Sequence, residues 1–249
     1  MGVGRLVMQA AAAQLTPVTL ELGGKSPAIV GPGADLAQAA DRIATAKGWN
    51  AGQTCIAPDY CLVPRARQAD FVAALHQSVR RRWPLGEADP DYTALISTAA
   101  WARMQRLAEE ATAGGATLVP LMSRTRDAGP TGARCMGPVA VLDPPADCAL
   151  MREEIFGPLP PIVPYDGGVE SAMAAVNDCT LHQPQHGLPF GGIGPSGMGV
   201  YHGRHGFDRF SHLKGVYLQH PLVGAVFDRW VRPPYGAFSA RLLRWMLRR

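Results

Sequence analysis

Two hydrophobic periodicities alternate along this chain of 249 residues, and their alternation predicts an α/β fold. Short apolar runs of strand length are followed by longer stretches in which apolar residues recur every three or four positions. The composition, 47% hydrophobic and 18% charged, is typical of a folded globular chain and not of a disordered one. The sequence contains no apolar run of about 18 residues, so no membrane-spanning helix is expected.

The sequence of the first half of the chain predicts four helices, one at the N-terminus and three after the first two strands. An Ala-rich helix is expected over residues 3–14, ending before Pro17. Two short buried strands follow, at Val18–Leu22 and Pro27–Val30. Asp35 is placed to cap the next helix. Two further helices are indicated by apolar residues at helical spacing, namely Phe71, Leu75 and Val79, then Trp101, Met104, Ala108 and Ala111.

The second half predicts the remaining strands and a long loop. Strand-like runs occur at Thr117–Leu121, Val139–Leu142 and Pro161–Val163, and a helix is expected over Val169–Val176. Glycine and proline dominate residues 187–206, which we therefore expect to form a loop.

The positive charge of the chain is concentrated at its C-terminal end. Residues 226–249 carry a local charge of +5, so the rest of the chain is close to neutral and nucleic acid is not expected as a partner. Residues 237–249 form a basic amphipathic helix in which arginines oppose Phe238, Leu242, Trp245 and Met246. Such a helix binds a membrane surface weakly or packs its apolar stripe on the body or a partner subunit, and we favour packing.

The five cysteines are an odd number without a CxxC pair, which is typical of reduced cytosolic thiols. The N-terminus lacks the continuous apolar stretch of a signal peptide, so a cytoplasmic location is expected. Cys179, His182 and His186 have a spacing that could hold zinc. Pro184 opposes a helical arrangement of these residues and no fourth ligand is evident, so no metal site is predicted.

A carboxylate and a cysteine each lie in a setting that favours chemistry. Glu21 is flanked by Leu20 and Leu22 and followed by two glycines, so it is expected to be desolvated and suited to act as a general base. The alternative is a strand-end acid that pairs with Lys25. Cys55 follows a Gly-containing turn at a helix end, where backbone N–H groups favour a reactive thiolate.

The alternative for Cys55 is a buried structural cysteine, which is how Cys61, Cys135 and Cys148 are interpreted. A third segment, Glu153–Pro158, places acids and an aromatic residue next to a Gly–Pro turn.

Together these segments resemble the aldehyde dehydrogenase superfamily, whose signatures are LELGGK, GQTC and EEIFGP. They occur here in that order, and the 34 residues between Glu21 and Cys55 match the family's spacing. Further matches at Cys55–Tyr60, Leu188–Gly199 and Tyr201–Gly203 are similar to the class 3 branch, which includes coniferyl, aromatic and fatty aldehyde dehydrogenases. The resemblance covers roughly residues 1–220.

The resemblance implies oxidation of an aldehyde to a carboxylic acid with NAD or NADP. Cys55 would attack the carbonyl, and loss of a hydride to the nicotinamide would leave a thioester that Glu21 hydrolyses by activating water. Glu154 would bind the nicotinamide ribose and Phe156 would lie against the nicotinamide ring. Cofactor contacts are also assigned to Leu22 and Gly23. The intact family form implies a homodimer.

The resemblance also implies that parts of the family pattern are missing. The region that supplies most of the Rossmann-like cofactor domain, and the asparagine of the oxyanion hole, would precede these residues. A strand–helix–strand unit is expected to be deleted near 177–187. The predicted domains are 1–22, a cofactor-domain remnant, 23–218, the catalytic domain, and 219–249, a basic tail.

Three functions remain open: an impaired aldehyde dehydrogenase, a non-catalytic remnant or assembly subunit, and a cofactor-independent esterase-like protein.

Overall fold

The computed structural model describes residues 2–123, 134–167, 183–216, 218 and 237–246. The chain divides into two compact units, Met1–Arg209 and Phe210–Arg249. The domain boundaries predicted from the sequence, 1–22, 23–218 and 219–249, stay predictions. The predicted helix at Val169–Val176 lies outside the described residues.

A five-stranded sheet forms the centre of the first unit. Its strands are β2 (Pro27–Ile29), β3 (Tyr60–Pro64), β4 (Thr117–Pro120), β5 (Val139–Leu142) and β6 (Pro161–Tyr165). They lie in the order β2-β3-β6-β5-β4; the first four in that order are parallel, and β4 pairs antiparallel with β5 at one edge. Parallel strands connected through helices confirm the predicted α/β class.

Helices α2 (Leu36–Gly48), α3 (Gln68–Arg82), α4 (Thr98–Ala113) and α5 (Ala149–Arg152) lie between these strands in the chain. The first unit also contains α1 (Gly2–Ala12) and α6 (Gly203–Arg209), and the second unit contains α7 (Ala237–Met246). The predicted cap of α2 is confirmed, since the Asp35 carboxylate accepts N–H bonds from Ala37 and Gln38 at 2.9 and 3.2 Å. No helix in the described ranges is both long and apolar enough to span a bilayer.

The core lies between the sheet and helices α2, α3 and α4. Phe71 and Leu75 of α3 and Met104 of α4 are buried, as the helical spacing predicted. Each such side chain stabilises the fold by roughly 1.5–3 kcal/mol relative to its exposed state. Helix α3 packs on both α2 and β3, which fixes the position of the end of α2.

Two small antiparallel ribbons lie outside the central sheet. β1 (Leu20–Glu21) pairs with β8 (Gly197–Met198), and β7 (Phe190–Gly191) pairs with β9 (Val200–Tyr201). The predicted uninterrupted loop over 187–206 is therefore wrong, because strands of two residues are too short to show a periodicity of two. Strand β1 is also shorter than the predicted Val18–Leu22.

In α7, Phe238 and Trp245 are more than half exposed whereas Ser239 is buried. The membrane-surface and packing alternatives for the C-terminal helix stay predictions.

Lys47, in the last turn of α2, is a buried cation that the sequence reasoning missed. Lys47 is 2% exposed, and within the described part of the chain its Nζ has no hydrogen-bond partner. Burial lowers the pKa of Lys47 to about 8, although the Asp59 carboxylate partly opposes that shift. Below pH 8 the folded state must therefore hold a buried charge without a hydrogen-bond partner among the described residues.

Replacing Lys47 with methionine should stabilise the protein at pH 7. Because the folded-state pKa lies below the unfolded one, the penalty is fully present below pH 8 and is relieved as the pH rises towards 10.5. The advantage of Lys47→Met over wild type should thus shrink by about 3 kcal/mol between pH 7 and 10.5 in urea unfolding followed by circular dichroism. The exposed Lys214, changed to methionine, is the control. A Lys47→Met protein that is less stable at pH 7 would contradict the burial argument.

Candidate active site

The loop that carries Cys55 has an unusual backbone. After α2, a 3₁₀ turn at Trp49–Gly52 holds Asn50, Ala51 and Gly52 at φ values of 50°, 51° and 72°. Gly52 is required there, because a Cβ at that position would collide with the carbonyl oxygen of Gly157. The cysteine loop therefore lies directly against the segment that contains Glu154 and Phe156.

Gln53 fixes the shape of this loop. Its amide nitrogen donates to the Asn50 carbonyl at 2.9 Å, and its amide oxygen accepts the Ile96 N–H at 2.9 Å. The Asn50 side chain donates to the Gln53 carbonyl at 3.0 Å. Gln53 is 8% exposed, so these bonds satisfy a buried amide and hold the turn that precedes Cys55.

Lys25 does not pair with Glu21. Its ammonium lies 2.5 Å from the Asp59 carboxylate and donates to the carbonyls of Leu150 and Glu153, both at 2.8 Å. The other oxygen of Asp59 accepts the Ile155 N–H at 2.9 Å. The predicted alternative of a Glu21–Lys25 pair is therefore wrong, and Lys25 instead connects three segments that are distant in sequence.

Arg103 of α4 is a second connecting residue, and no sequence signal pointed to it. Its guanidinium donates to the carbonyls of Ile155 and Glu154, both at 2.6 Å, and to the Glu153 carboxylate at 3.2 Å. Arg103 and the Lys25–Asp59 pair thus hold the backbone of residues 153–155 from two sides.

Glu154 extends towards the glycines that follow Glu21. The Gly24 N–H donates to the Glu154 carboxylate, and a Cβ on Gly23 would occupy the position of that carboxylate. Burial raises the pKa of Glu154, with a further contribution from Asp59. Phe156 has a φ of 49°, uncommon for an aromatic residue, and its side chain is 43% exposed.

Cys55 is accessible, but its thiolate is not favoured. Partial burial of the thiol raises its pKa, and the Glu21 and Glu154 carboxylates raise it further. The N–H groups of Cys55 and Ile56 act in the opposite direction and do not overcome these effects. The predicted preference for a thiolate is therefore wrong for this structure, because burial and two nearby acids favour the protonated thiol.

Glu21 is exposed, not desolvated as predicted. Strand alternation turns Leu20 inward and Glu21 outward, so the flanking leucines do not bury the carboxylate. Glu21 lies opposite Gly197 in the β1–β8 ribbon, and the Tyr201 hydroxyl donates to its Oε2 at 3.5 Å. Tyr201 was missed as a site residue, although the Tyr201–Gly203 match was a signal for it.

The structure thus brings Cys55, Glu21 and Glu154 into one site: Gly23 lies against the Glu154 carboxylate and Gly24 against the Cys55 carbonyl, and both carboxylates contribute to the raised pKa of the thiol. Leu22 lies elsewhere, with its side chain against Gly4 of α1. A surface cavity of about 470 Å³ lies beside α2 and α3 and is not lined by any of the predicted site residues. It is lined by Asp41, Thr45, Trp49, Arg81, Arg82, Trp83 and Asp91.

No group of three or more His, Cys, Asp and Glu side chains that could hold a metal ion occurs in the part of the chain that the structure describes. Cys179 and His182, two of the three residues whose spacing could hold zinc, lie outside that part.

Comparison with known proteins places the chain in context. The model of the "Aldehyde dehydrogenase family" matches residues 1–181. The chain is 41% identical to a "Probable coniferyl aldehyde dehydrogenase" of Pseudomonas aeruginosa, over 97% of this chain and 56% of that protein. That alignment extends over 274 residues, more than the 249 of the chain, so the relative carries residues without a counterpart here.

Two solved structures are similar in fold as well. The chain matches the "Substrate bound state of Staphylococcus Aureus AldH" with a TM-score of 0.77 and 32% identity, over 98% of this chain and 58% of that one. It matches the "NAD+ complex structure of aldehyde dehydrogenase from bacillus cereus" with a TM-score of 0.72 and 25% identity, over 87% and 50% of the respective chains. The chain spans about half the length of these relatives.

Proposed function

Because the chain belongs to the aldehyde dehydrogenase family, we propose that it carries the cysteine and the hydrolytic machinery for oxidising an aldehyde to a carboxylic acid. The observation that supports the proposal is the meeting of Cys55, Glu21 and Glu154 at one site. The similarity to a coniferyl aldehyde dehydrogenase favours an aromatic aldehyde such as coniferaldehyde, with a fatty aldehyde as the second class.

In the first step, the Cys55 sulfur adds to the aldehyde carbon. The thiol must lose its proton, and the neighbouring carboxylates of Glu21 and Glu154, which raise its pKa, are also the groups placed to receive that proton. The carbonyl oxygen becomes an oxyanion, for which the backbone N–H of Cys55 is a donor. The product on the protein is a thiohemiacetal.

The hydrolytic step starts from the thioester on Cys55. Glu21 accepts a proton from water, the water oxygen bonds to the acyl carbon, and the carbon–sulfur bond breaks to release the acid and restore Cys55. Exposure of Glu21 suits this role, because the attacking water must reach it.

The residues near Cys55 fit part of a nicotinamide dinucleotide. When bound, NAD or NADP supplies the hydride acceptor. The Glu154 carboxylate is held by the Gly24 N–H and retains acceptor positions for ribose hydroxyls, while the half-exposed Phe156 ring offers an apolar surface. Gly23 leaves room for the Glu154 carboxylate, which gives that glycine an indirect part in the same contact.

Purified 249-residue chain should hydrolyse 4-nitrophenyl acetate slowly and reduce NAD or NADP only at trace rates. These 249 residues span about half the length of their relatives, and a site that lacks one oxyanion donor loses about 10²–10³ in rate. The measurements are 4-nitrophenol release, and reduced nicotinamide with coniferaldehyde, benzaldehyde or a medium-chain aldehyde. Fast NAD(P) reduction would show that the predicted impairment of aldehyde oxidation is wrong. Absence of both activities would favour a non-catalytic role.

A cytoplasmic location and a homodimer belong to this proposal as expectations.

A further inference from the structure

Tyr201 lies at the meeting point of the two ribbons beside the site. In the β7–β9 ribbon it pairs with Phe190, and four positions earlier in the chain Gly197 pairs with Glu21 in the β1–β8 ribbon. The short segment between β8 and β9 therefore carries the Tyr201 side chain back to Glu21. This placement depends on a contact across 180 residues of sequence.

The tyrosine hydroxyl faces the chemical groups of the site. It donates to Oε2 of Glu21 at 3.5 Å, at the long end of the hydrogen-bond range. Partial burial raises the pKa of Tyr201, and the charges of Glu21 and Cys55 raise it further. Tyr201 therefore keeps its proton and remains a donor at neutral pH.

Aromatic packing holds the Tyr201 ring. Phe190 meets it edge-on at 5.9 Å between ring centroids, and His202 meets it edge-on at 4.5 Å. The His202 ring also stacks on the Phe190 ring, with 5.7 Å between the centroids. The backbone of His202 has a φ of 83°. An uncommon backbone conformation at a residue inside this cluster indicates that the surrounding contacts determine where the rings lie.

We propose that Tyr201 is a positioning residue for thioester hydrolysis, with its hydroxyl holding the Glu21 carboxylate in place while Glu21 activates water. The proposal rests on the function proposed above. Tyr201 occupies Oε2 of Glu21 and leaves the other oxygen to accept the proton of the attacking water. Glu21 gains that proton, the acyl carbon gains the oxygen, and Cys55 leaves as the sulfur product, while Tyr201 keeps its own proton throughout.

The test separates acylation of Cys55 from hydrolysis of the acyl-enzyme. With 4-nitrophenyl acetate, the initial burst of 4-nitrophenol measures acylation and the later steady rate measures hydrolysis. Tyr201→Phe should leave the burst within about twofold and slow hydrolysis about tenfold, the effect of losing one hydrogen bond to a charged group. Tyr165→Phe, which removes a hydroxyl that donates to the Val30 carbonyl at 2.8 Å, is the matched control and should change neither.

A double substitution shows whether Tyr201 acts through Glu21. In a Glu21→Gln background, Tyr201→Phe should slow hydrolysis by less than about twofold, because the group that it positions is gone. The proposal would be overturned if Tyr201→Phe slowed hydrolysis equally in the wild-type and Glu21→Gln backgrounds. It would also be overturned if Tyr201→Phe slowed the burst as much as it slowed hydrolysis. A wild-type chain that releases 4-nitrophenol no faster than its Cys55→Ala variant would overturn the proposed function, and this proposal with it.

A second readout does not depend on catalysis. The ionisation of Tyr201 is measured as the ultraviolet difference between wild type and Tyr201→Phe on raising the pH. Its midpoint should fall in Glu21→Gln, because the carboxylate that opposes tyrosinate formation is removed. An unchanged midpoint would show that the two side chains do not interact in solution, which would overturn the proposal even where the wild-type burst is normal.

Discussion

Replacing Cys55 with alanine should abolish the burst of 4-nitrophenol from 4-nitrophenyl acetate and lower the steady rate at least about 10³-fold. The sulfur is the only atom of that side chain able to form the acyl intermediate, and loss of a nucleophile removes both steps that follow from it. Wild-type acylation should quicken as the pH rises beyond the usual cysteine range, because burial and the Glu21 and Glu154 carboxylates raise the pKa of Cys55.

Cys135 offers the matched control for this experiment. It is partly exposed, and its thiol donates to the Glu87 carbonyl at 3.3 Å, away from the site residues. Cys135→Ala should keep the burst, and limited alkylation with iodoacetamide should label Cys55 ahead of Cys135 in folded protein. A burst that persists in Cys55→Ala would show that another residue is the nucleophile and would remove the main support for the proposed function.

Replacing Glu21 with glutamine should preserve the burst and slow hydrolysis of the acyl-enzyme by about 10²–10⁴, the range of a general base. The amide keeps the size of the side chain but cannot take a proton from water. The same change removes one carboxylate that raises the pKa of Cys55 and also one of the two groups placed to receive its proton, so acylation should change much less than hydrolysis. Hydrolysis would thus slow selectively, which a general loss of structure cannot produce.

Glu153→Gln is the control for Glu21→Gln. Glu153 is also an acid beside the site, but its carboxylate accepts a hydrogen bond from Arg103 at 3.2 Å. It should change either step by less than about threefold. If Glu21→Gln hydrolyses its acyl-enzyme at the wild-type rate, Glu154 is the remaining candidate for the base.

The sequence predicted four of the five sheet strands and the helices α2, α3 and α4, because their apolar residues recur at local spacings. Strand β3 (Tyr60–Pro64) was not predicted. The Asp35 cap is likewise a contact between residues two and three positions apart. In the two ribbons beside the site, β1 was predicted within Val18–Leu22, but β7, β8 and β9 were missed, since pairs of residues carry no periodicity and glycines obscure the pattern.

For the site, the sequence by itself determined the order and the chemical types of the residues: an acid before two glycines, a cysteine after a glycine turn and an acid–aromatic pair. These are local patterns, and they sufficed to identify the family. Charges and pairing were decided by the tertiary structure. Lys25 pairs with Asp59, 34 positions away, and contacts carbonyls more than 100 positions further along the chain.

The tertiary structure also decided the protonation of Cys55 and the pairing of Tyr201. The local turn predicted a thiolate, but burial of the thiol, together with the carboxylates of residues 21 and 154, raises its pKa and reverses that preference. Tyr201 meets Glu21 through two ribbons whose strands are remote in sequence. Electrostatic effects depend on distance in space and on burial, and neither quantity is contained in the spacing of residues along a chain.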